Sequence, residues 1–287
     1  MATDFTFREA QQKFIDSLKS RRRATATILA YGKDIEQLTS FLTSQGKESL
    51  NQATQDDLVA FLESLKKNGY TLKSISRKLN ALKTFYRFLK ENDSISENPS
   101  LLLTHPKYEV KPPRILSRME YRALRDACRD DMRISAVVEL LLQTGMRIGE
   151  LANLELDDVK GDEIYIKAYE SHEARTIPLN KAARQALEKY LNIRPKGANK
   201  TLFITKTGRP LLIRNIRTAI DRYFRLAGIK DAKVNDLRHT FIAQHLTAGT
   251  PLTTLSKLVG HKRLSTTEKY LEFIKEKGEE PIKLEEL

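Results

Sequence analysis

VNDLRHTFIAQHLTAGTPLTTLSKLVGHKRLSTTEKYLEF, residues 234–273, places Arg238 and His239 before an apolar helical run, His261 directly after Gly260, and Tyr270 nine residues beyond that histidine. The stretch offers a cation, an imidazole and a phenol, with no carboxylate pair spaced to hold a metal. Such a set suits attack on a phosphodiester by a tyrosine oxygen, provided a second arginine helps to hold the phosphate. The chain supplies one upstream. An apolar segment at 133–143 ends at Thr144-Gly145, and TGMRIGEL (144–151) then opens a helix with Arg147 in its first turn.

Composition sets the partner class. The chain has 287 residues, enough for two domains with their own cores, and 40% hydrophobic with 30% charged residues reads as a soluble, helix-rich protein. No apolar run approaches the roughly eighteen residues of a membrane span, and the opening MATDFTFREAQQKF lacks the apolar core of a signal peptide. One cysteine, Cys128, excludes an internal disulfide framework and fits a reducing cytosol, so the expected location is cytoplasmic. The formal net charge is +13, with the excess in both halves and reversed after Tyr270. A basic surface of that extent points to an extended polyanion.

Residues 1–103 carry helical periodicity throughout. Stripes run through Phe7, Ala10, Phe14, Ile15 and Leu18, then Ile28, Tyr31, Ile35, Leu38, Phe41 and Leu42. Thr54 with Asp57 marks a third helix start. In the fourth helix Ile75, Leu79, Leu82, Phe85, Tyr86 and Leu89 face inward, and Lys73, Arg77, Lys78, Lys83 and Arg87 form a basic outer face for DNA backbone. Asn98-Pro99 stops this four-helix domain, and the proline-bearing stretch from Thr104 serves as a linker (104–116). Ser117 and Glu120 form a capping box that opens the second domain, 117–287, whose tail is 271–287. Strands are expected at 163–169 and 174–179, joined by a loop at 170–173, with another at 201–205. A long basic helix over 211–228 carries Arg214 and Arg217 as further DNA contacts. The fold class is therefore mostly α with a small antiparallel β-sheet in the C-terminal domain. No metal-ligand spacing or glycine-rich phosphate loop appears, so no cofactor is expected.

TGMRIGELANLELDDV, LRHTFIAQHL, LVGH and TTEKYLEF, in this order, resemble the tyrosine recombinases, the Xer-like and phage-integrase-like enzymes, over nearly the whole chain. The resemblance implies a helical core-binding domain and an α/β catalytic domain closing as a C-shaped clamp on duplex DNA. It implies Tyr270 as nucleophile, Arg147 and Arg238 as the phosphate clamp, and His261 as the third basic group. Glu150 and His239 are supporting residues, the first orienting an arginine and the second a core hydrogen-bonding histidine. Attack would give a 3′-phosphotyrosyl link and a free 5′-hydroxyl, and exchange would pass through a Holliday junction. The expected partner is a double-stranded recombination site, bound by a homotetramer assembled from monomers, with no membrane. A type IB topoisomerase-like nicking-closing enzyme and a catalytically weak or silent DNA-binding protein are the rival readings.

Two positions depart from the family pattern. Asn235 stands where a histidine or lysine is usual, and an amide does no acid-base work at neutral pH. Glu170 falls where the hairpin lysine is expected, eight residues before Pro178. Lys167, on the strand leading into that loop, is the expected replacement.

Overall fold

The computed structural model describes residues 6–21, 23–168, 172–197 and 199–275, with positions 274 and 275 as backbone only. Glu170, Arg22 and the tail from 276 lie outside the described residues. The chain divides into two compact units, residues 1–110 and 111–287.

The first unit is four helices: α1 (Phe7–Ser20), α2 (Thr25–Ser44), α3 (Gln55–Lys67) and α4 (Leu72–Glu91). Capping boxes open α1 at Thr6–Glu9 and α3 at Thr54–Asp57, satisfying amide groups that a helix start leaves unpaired. The inward stripes meet as a core of Phe14, Ile35, Leu38, Phe61, Leu82 and Phe85. Each such side chain contributes about 1.5–3 kcal/mol by leaving water.

One polar cluster corrects the sequence reading of α4. Lys78 is buried, its Nζ 2.8 Å from both Asp34 Oδ1 and Gln37 Oε1 of α2, and Arg77 pairs with the same carboxylate. Asp34 sits in the helix interface, and a buried carboxylate needs cationic partners. Lys78 therefore faces the bundle interior, while Lys73 and Arg77 stay on the surface.

The second unit begins with α5 (Arg118–Cys128), α6 (Met132–Thr144) and the short α7 (Ile148–Ala152). The Ser117–Glu120 capping box opens α5, and the Cys128 thiol is buried, which pushes its pKa up to about 11. α6 is apolar on nearly all sides and lies at the centre of the core, its one buried acid, Glu139, held by Arg125 at 2.7 and 2.8 Å. The antiparallel sheet has three strands in the order β1 (Val159–Lys160), β2 (Glu163–Ile166) and β3 (Arg175–Pro178). Its register sets Ile164 opposite Ile177 and Ile166 opposite Arg175. β1 was not anticipated, and the strand expected at 201–205 is instead two isolated bridges, Glu155 with Thr201 and Ile204 with Pro210. There, Leu202 N–H donates to Leu154 O, Phe203 O accepts from Leu211 N–H, and the Tyr190 hydroxyl links Leu202 O to Ile204 N–H, in place of a ladder.

The chain continues through α8 (Lys181–Ile193), α9 (Ile213–Leu226), α10 (Val234–Thr247), α11 (Leu252–Val259) and α12 (Leu264–Lys275). Arg238 and His239 lie within α10, and Tyr270 lies on α12. Among the described residues no helix is long and apolar enough to cross a membrane.

Candidate active site

The site starts at the end of α6. Gly145 has φ 60°, the left-handed conformation that turns the chain sharply, and a Cβ there would lie 2.4 Å from Phe241 Cδ1. The turn delivers Arg147 to the N-cap of α7, where its amide donates to Glu150 Oε2 at 2.8 Å. The Glu150 carboxylate has no solvent exposure. It receives Arg147 Nη1 at 3.0 Å and both terminal nitrogens of Arg175 at 2.9 and 2.8 Å. Burial would raise its pKa, but hydrogen bonds from Arg175 and then Arg147, with their charges, hold it down to about 2.

The C-terminus of α11 draws three arginines together. A helix end leaves carbonyls without intrahelical partners and carries the negative end of the helix dipole. Here Arg175 Nε donates to Leu258 O at 2.8 Å, Arg238 Nη2 to Val259 O at 2.7 Å, and Arg147 Nη2 to Gly260 O at 2.8 Å. Arg238 Nη1 also donates to Gly145 O, which ties the α6 turn to the same cluster. Gly260, at φ 66°, permits the approach, because a Cβ there would meet the Arg175 guanidinium at 2.8 Å.

Two guanidinium groups thus bond one carboxylate and a third, Arg238, feels its charge, leaving excess positive charge. Burial, and then the charge of Arg147, lowers Arg238 to about 9, which still leaves it protonated at neutral pH. Each guanidinium has five N–H donors. Neither Arg147 nor Arg238 uses its Nε for a bond within the described residues, and each keeps a terminal donor for an incoming anion.

The imidazoles and the phenol complete the group. Tyr270 is 7% exposed, and its Oη lies 2.6 Å from His239 Nδ1. His239 Nε2 is 2.7 Å from the Asn235 side-chain amide. His261 Nδ1 is 2.8 Å from the hydroxyl of buried Thr267, and its ring lies nearly parallel to that of Tyr270 at 6.3 Å between centroids. Burial, then Arg238 and Arg147, push His261 down to about 4, so it meets a ligand as a neutral imidazole. Burial raises the Tyr270 phenol while Arg238 pulls it down, and burial wins. The nucleophile candidate is therefore protonated at neutral pH.

The structure brings together Arg147, Arg238, His261 and Tyr270 with Glu150, His239 and Asn235. It does not bring Lys167 to them, a correction to the sequence expectation. β2 alternates exposed and buried residues, so Lys167 leaves it in phase with exposed Tyr165, and its ammonium pairs with Glu155 and, at 3.3 Å, Asp158. Arg214 and Arg217 are exposed on α9. Arg217, Lys233, Asn235 and Arg238 line a cleft of about 500 Å³.

Two residues escaped the sequence reading. Arg175 holds Glu150, and its signal was phase: on β3 it shares the inward face with buried Ile177. His172, just before β3, has a buried Nδ1 without a hydrogen-bond partner among the described residues. Burial, then Arg147, lowers its pKa, with Lys262 and Arg238 acting in the same direction. No helical or strand periodicity marks a loop histidine.

A helical unit and an α/β unit, the second with three arginines on the end of α11 and a buried phenol near Arg238, fit a phosphodiester-transfer class. Residues 114–277 match the phage integrase family and residues 12–93 its N-terminal SAM-like domain. The chain belongs to that family, the tyrosine recombinases. It is 32% identical to tyrosine recombinase XerC of Staphylococcus carnosus over 270 residues, covering 91% of each chain. It is also 32% identical to XerC of Bacillus subtilis over 266 residues, covering 87% of this chain and 86% of that one. The fold matches a lambda integrase tetramer bound to a Holliday junction with a TM-score of 0.75, at 19% identity, over 90% of this chain and 78% of that one.

Proposed function

We propose that this chain is an Xer-like site-specific recombinase in which Tyr270 attacks a scissile phosphate of duplex DNA. The observation that carries the reading is the buried Tyr270 phenol beside Arg238, within a three-arginine cluster that keeps donors free for an anion. Charge developing on the non-bridging oxygens is met by the always-charged, paired donors of Arg147 and Arg238, and by an N–H of neutral His261. Tyr270 becomes joined to the 3′ phosphate and a 5′-hydroxyl is released, so the bond energy is stored covalently. Attack by the partner strand's 5′-hydroxyl then rejoins DNA through a Holliday junction. Exchange between two duplexes requires four such sites, and a homotetramer on DNA, formed from monomers, meets that need. Lys73, Arg77, Arg214 and Arg217 contact phosphates of the duplex. Chromosome or plasmid dimer resolution and integration or excision both use this chemistry.

The ion pairs that hold Lys167 favour one second reading, a DNA-binding protein that cleaves poorly. Covalent capture decides between them. Nicked duplexes with a randomised segment are incubated with the chain, and SDS-resistant adducts are recovered and sequenced. Adducts that converge on one site and vanish in Tyr270→Phe support the recombinase. Site-selective binding with no adduct favours the weak cleaver, and relaxation of supercoiled DNA without joined product from two duplexes points to a nicking-closing enzyme.

A further inference from the structure

We infer that His239 is the general base of the cleavage step, accepting the Tyr270 proton at Nδ1, with Asn235 as the positioning residue that sets its tautomer. The inference rests on Tyr270 being the nucleophile. Among the described residues, His239 Nδ1 is the only hydrogen-bond partner of Tyr270 Oη, at 2.6 Å. A buried phenol whose proton has no acceptor costs about 1–3 kcal/mol. The phenol is therefore satisfied only when Nδ1 carries a lone pair and Nε2 carries the ring proton. Nε2 in turn lies 2.7 Å from Asn235 Nδ2. A half-turn of that exposed amide exchanges its near-isosteric nitrogen and oxygen, so its carbonyl accepts Nε2–H and the tautomer is fixed.

The surroundings keep the ring neutral. Burial lowers its pKa, Asp236 on its own helix raises it, and Arg238 beside it lowers it. Across from it stand Tyr270 on α12 and neutral His261 in the turn before α12. Proton transfer from phenol to this imidazole is uphill in the resting site, so it accompanies attack instead of preceding it. As the Oη–P bond forms and the P–O5′ bond breaks, the phenol proton moves to Nδ1, and the leaving 5′ oxygen takes a proton from water. In rejoining, the 5′-hydroxyl attacks the phosphorus and gives its proton to water as the P–Oη bond breaks, and the His239 imidazolium returns its proton to Oη. The position where the family usually has a basic residue is Asn235 here. The base has thus moved one helical turn along α10, and the asparagine serves it.

The test uses the full chain and the nicked duplex recovered by covalent capture, in single-turnover adduct formation. His239→Ala and His239→Gln are expected to slow adduct formation by about 10²- to 10³-fold while leaving duplex affinity within threefold. Added imidazole should restore part of the Ala rate, and the low-pH inflection of the wild-type profile should vanish in the Gln variant. A duplex with sulfur at the scissile 5′ position, whose leaving group needs no proton, should not rescue either variant. Rescue by sulfur, or a rate within threefold of wild type, overturns the inference. An adduct that persists in Tyr270→Phe overturns instead the reading beneath it. ¹⁵N spectra of the free protein give an answer without DNA. A neutral Nε2–H tautomer at His239 that is lost in Asn235→Ala supports the relay, and a dominant Nδ1–H tautomer in wild type sinks it.

Discussion

Arg175 and Glu150 are joined by two parallel hydrogen bonds, at 2.9 and 2.8 Å, between β3 and a carboxylate with no solvent exposure. The same carboxylate orients Arg147, so the pair holds the sheet edge and Arg147 in one geometry. Its protonation should therefore control stability in acid. The folded pKa of Glu150 is held down to about 2 against an ordinary 4.5. Stabilisation is thus fully present above pH 4.5 and lost as pH falls towards 2, amounting to about 3 kcal/mol. Glu150→Gln should cost about 3–5 kcal/mol at pH 7, because Arg147 and Arg175 lose their buried counter-charge. Urea unfolding of both proteins across pH 2–7 checks this, and curves that stay parallel would show that Glu150 is not the coupled group.

Gly260 is where the backbone and the arginines come closest. An alanine there takes an unfavourable φ of 66° and sets its Cβ 2.8 Å from Arg175 Nη1. Gly260→Ala is expected to destabilise by about 1–3 kcal/mol, and to lower single-turnover cleavage by at least tenfold through displacement of the carbonyl that holds Arg147. Alanine at Gly46, also at positive φ but with open space around its Cβ, should cost only the backbone strain and leave cleavage intact. Equal cleavage defects in the two variants would assign the effect to stability alone.

Lys167 separates the hairpin's structural role from a catalytic one. Its ammonium is half exposed and paired with Glu155 and Asp158, and the hydrogen bond it donates to Glu155 raises its pKa. Lys167→Ala should leave adduct formation within about threefold of wild type, since exposed ion pairs contribute little. A loss of a hundredfold would mean that the hairpin rearranges on DNA and delivers this lysine to the leaving oxygen.

What could be read from residues alone follows the range of the signal. Helix stripes and capping boxes are local, and Thr54–Asp57 and Ser117–Glu120 sit where their spacing put them. The resemblance picks out Arg147, Arg238, His261 and Tyr270 by their order, and the fold brings them together from four separate elements. Lys78 was misread because helical spacing marks a face but not what packs on it, and only the fold reveals Asp34 opposite. The His239–Tyr270 bond was hidden for the same reason: it joins α10 to α12 across thirty-one positions of chain. Adjacency to Arg238 said nothing of where the imidazole points.

That contrast between exposed and internally paired cations gives the last prediction. Phosphate contacts release counterions, so each one adds nearly one to the slope of log affinity against log salt concentration. Arg217 is exposed and lines the cleft with Arg238, whereas Lys78 is buried against Asp34 and turned away from any phosphate. Arg217→Ala should weaken duplex binding and reduce the magnitude of the salt slope by about one. Lys78→Met should leave the slope unchanged, and its effect should appear in the stability of the first unit, where Asp34 loses one of its two cations. Titrations of a duplex at several salt concentrations, paired with thermal unfolding, measure both quantities. A reduced slope in Lys78→Met would mean that the Asp34 cluster opens on DNA and frees the lysine for the backbone.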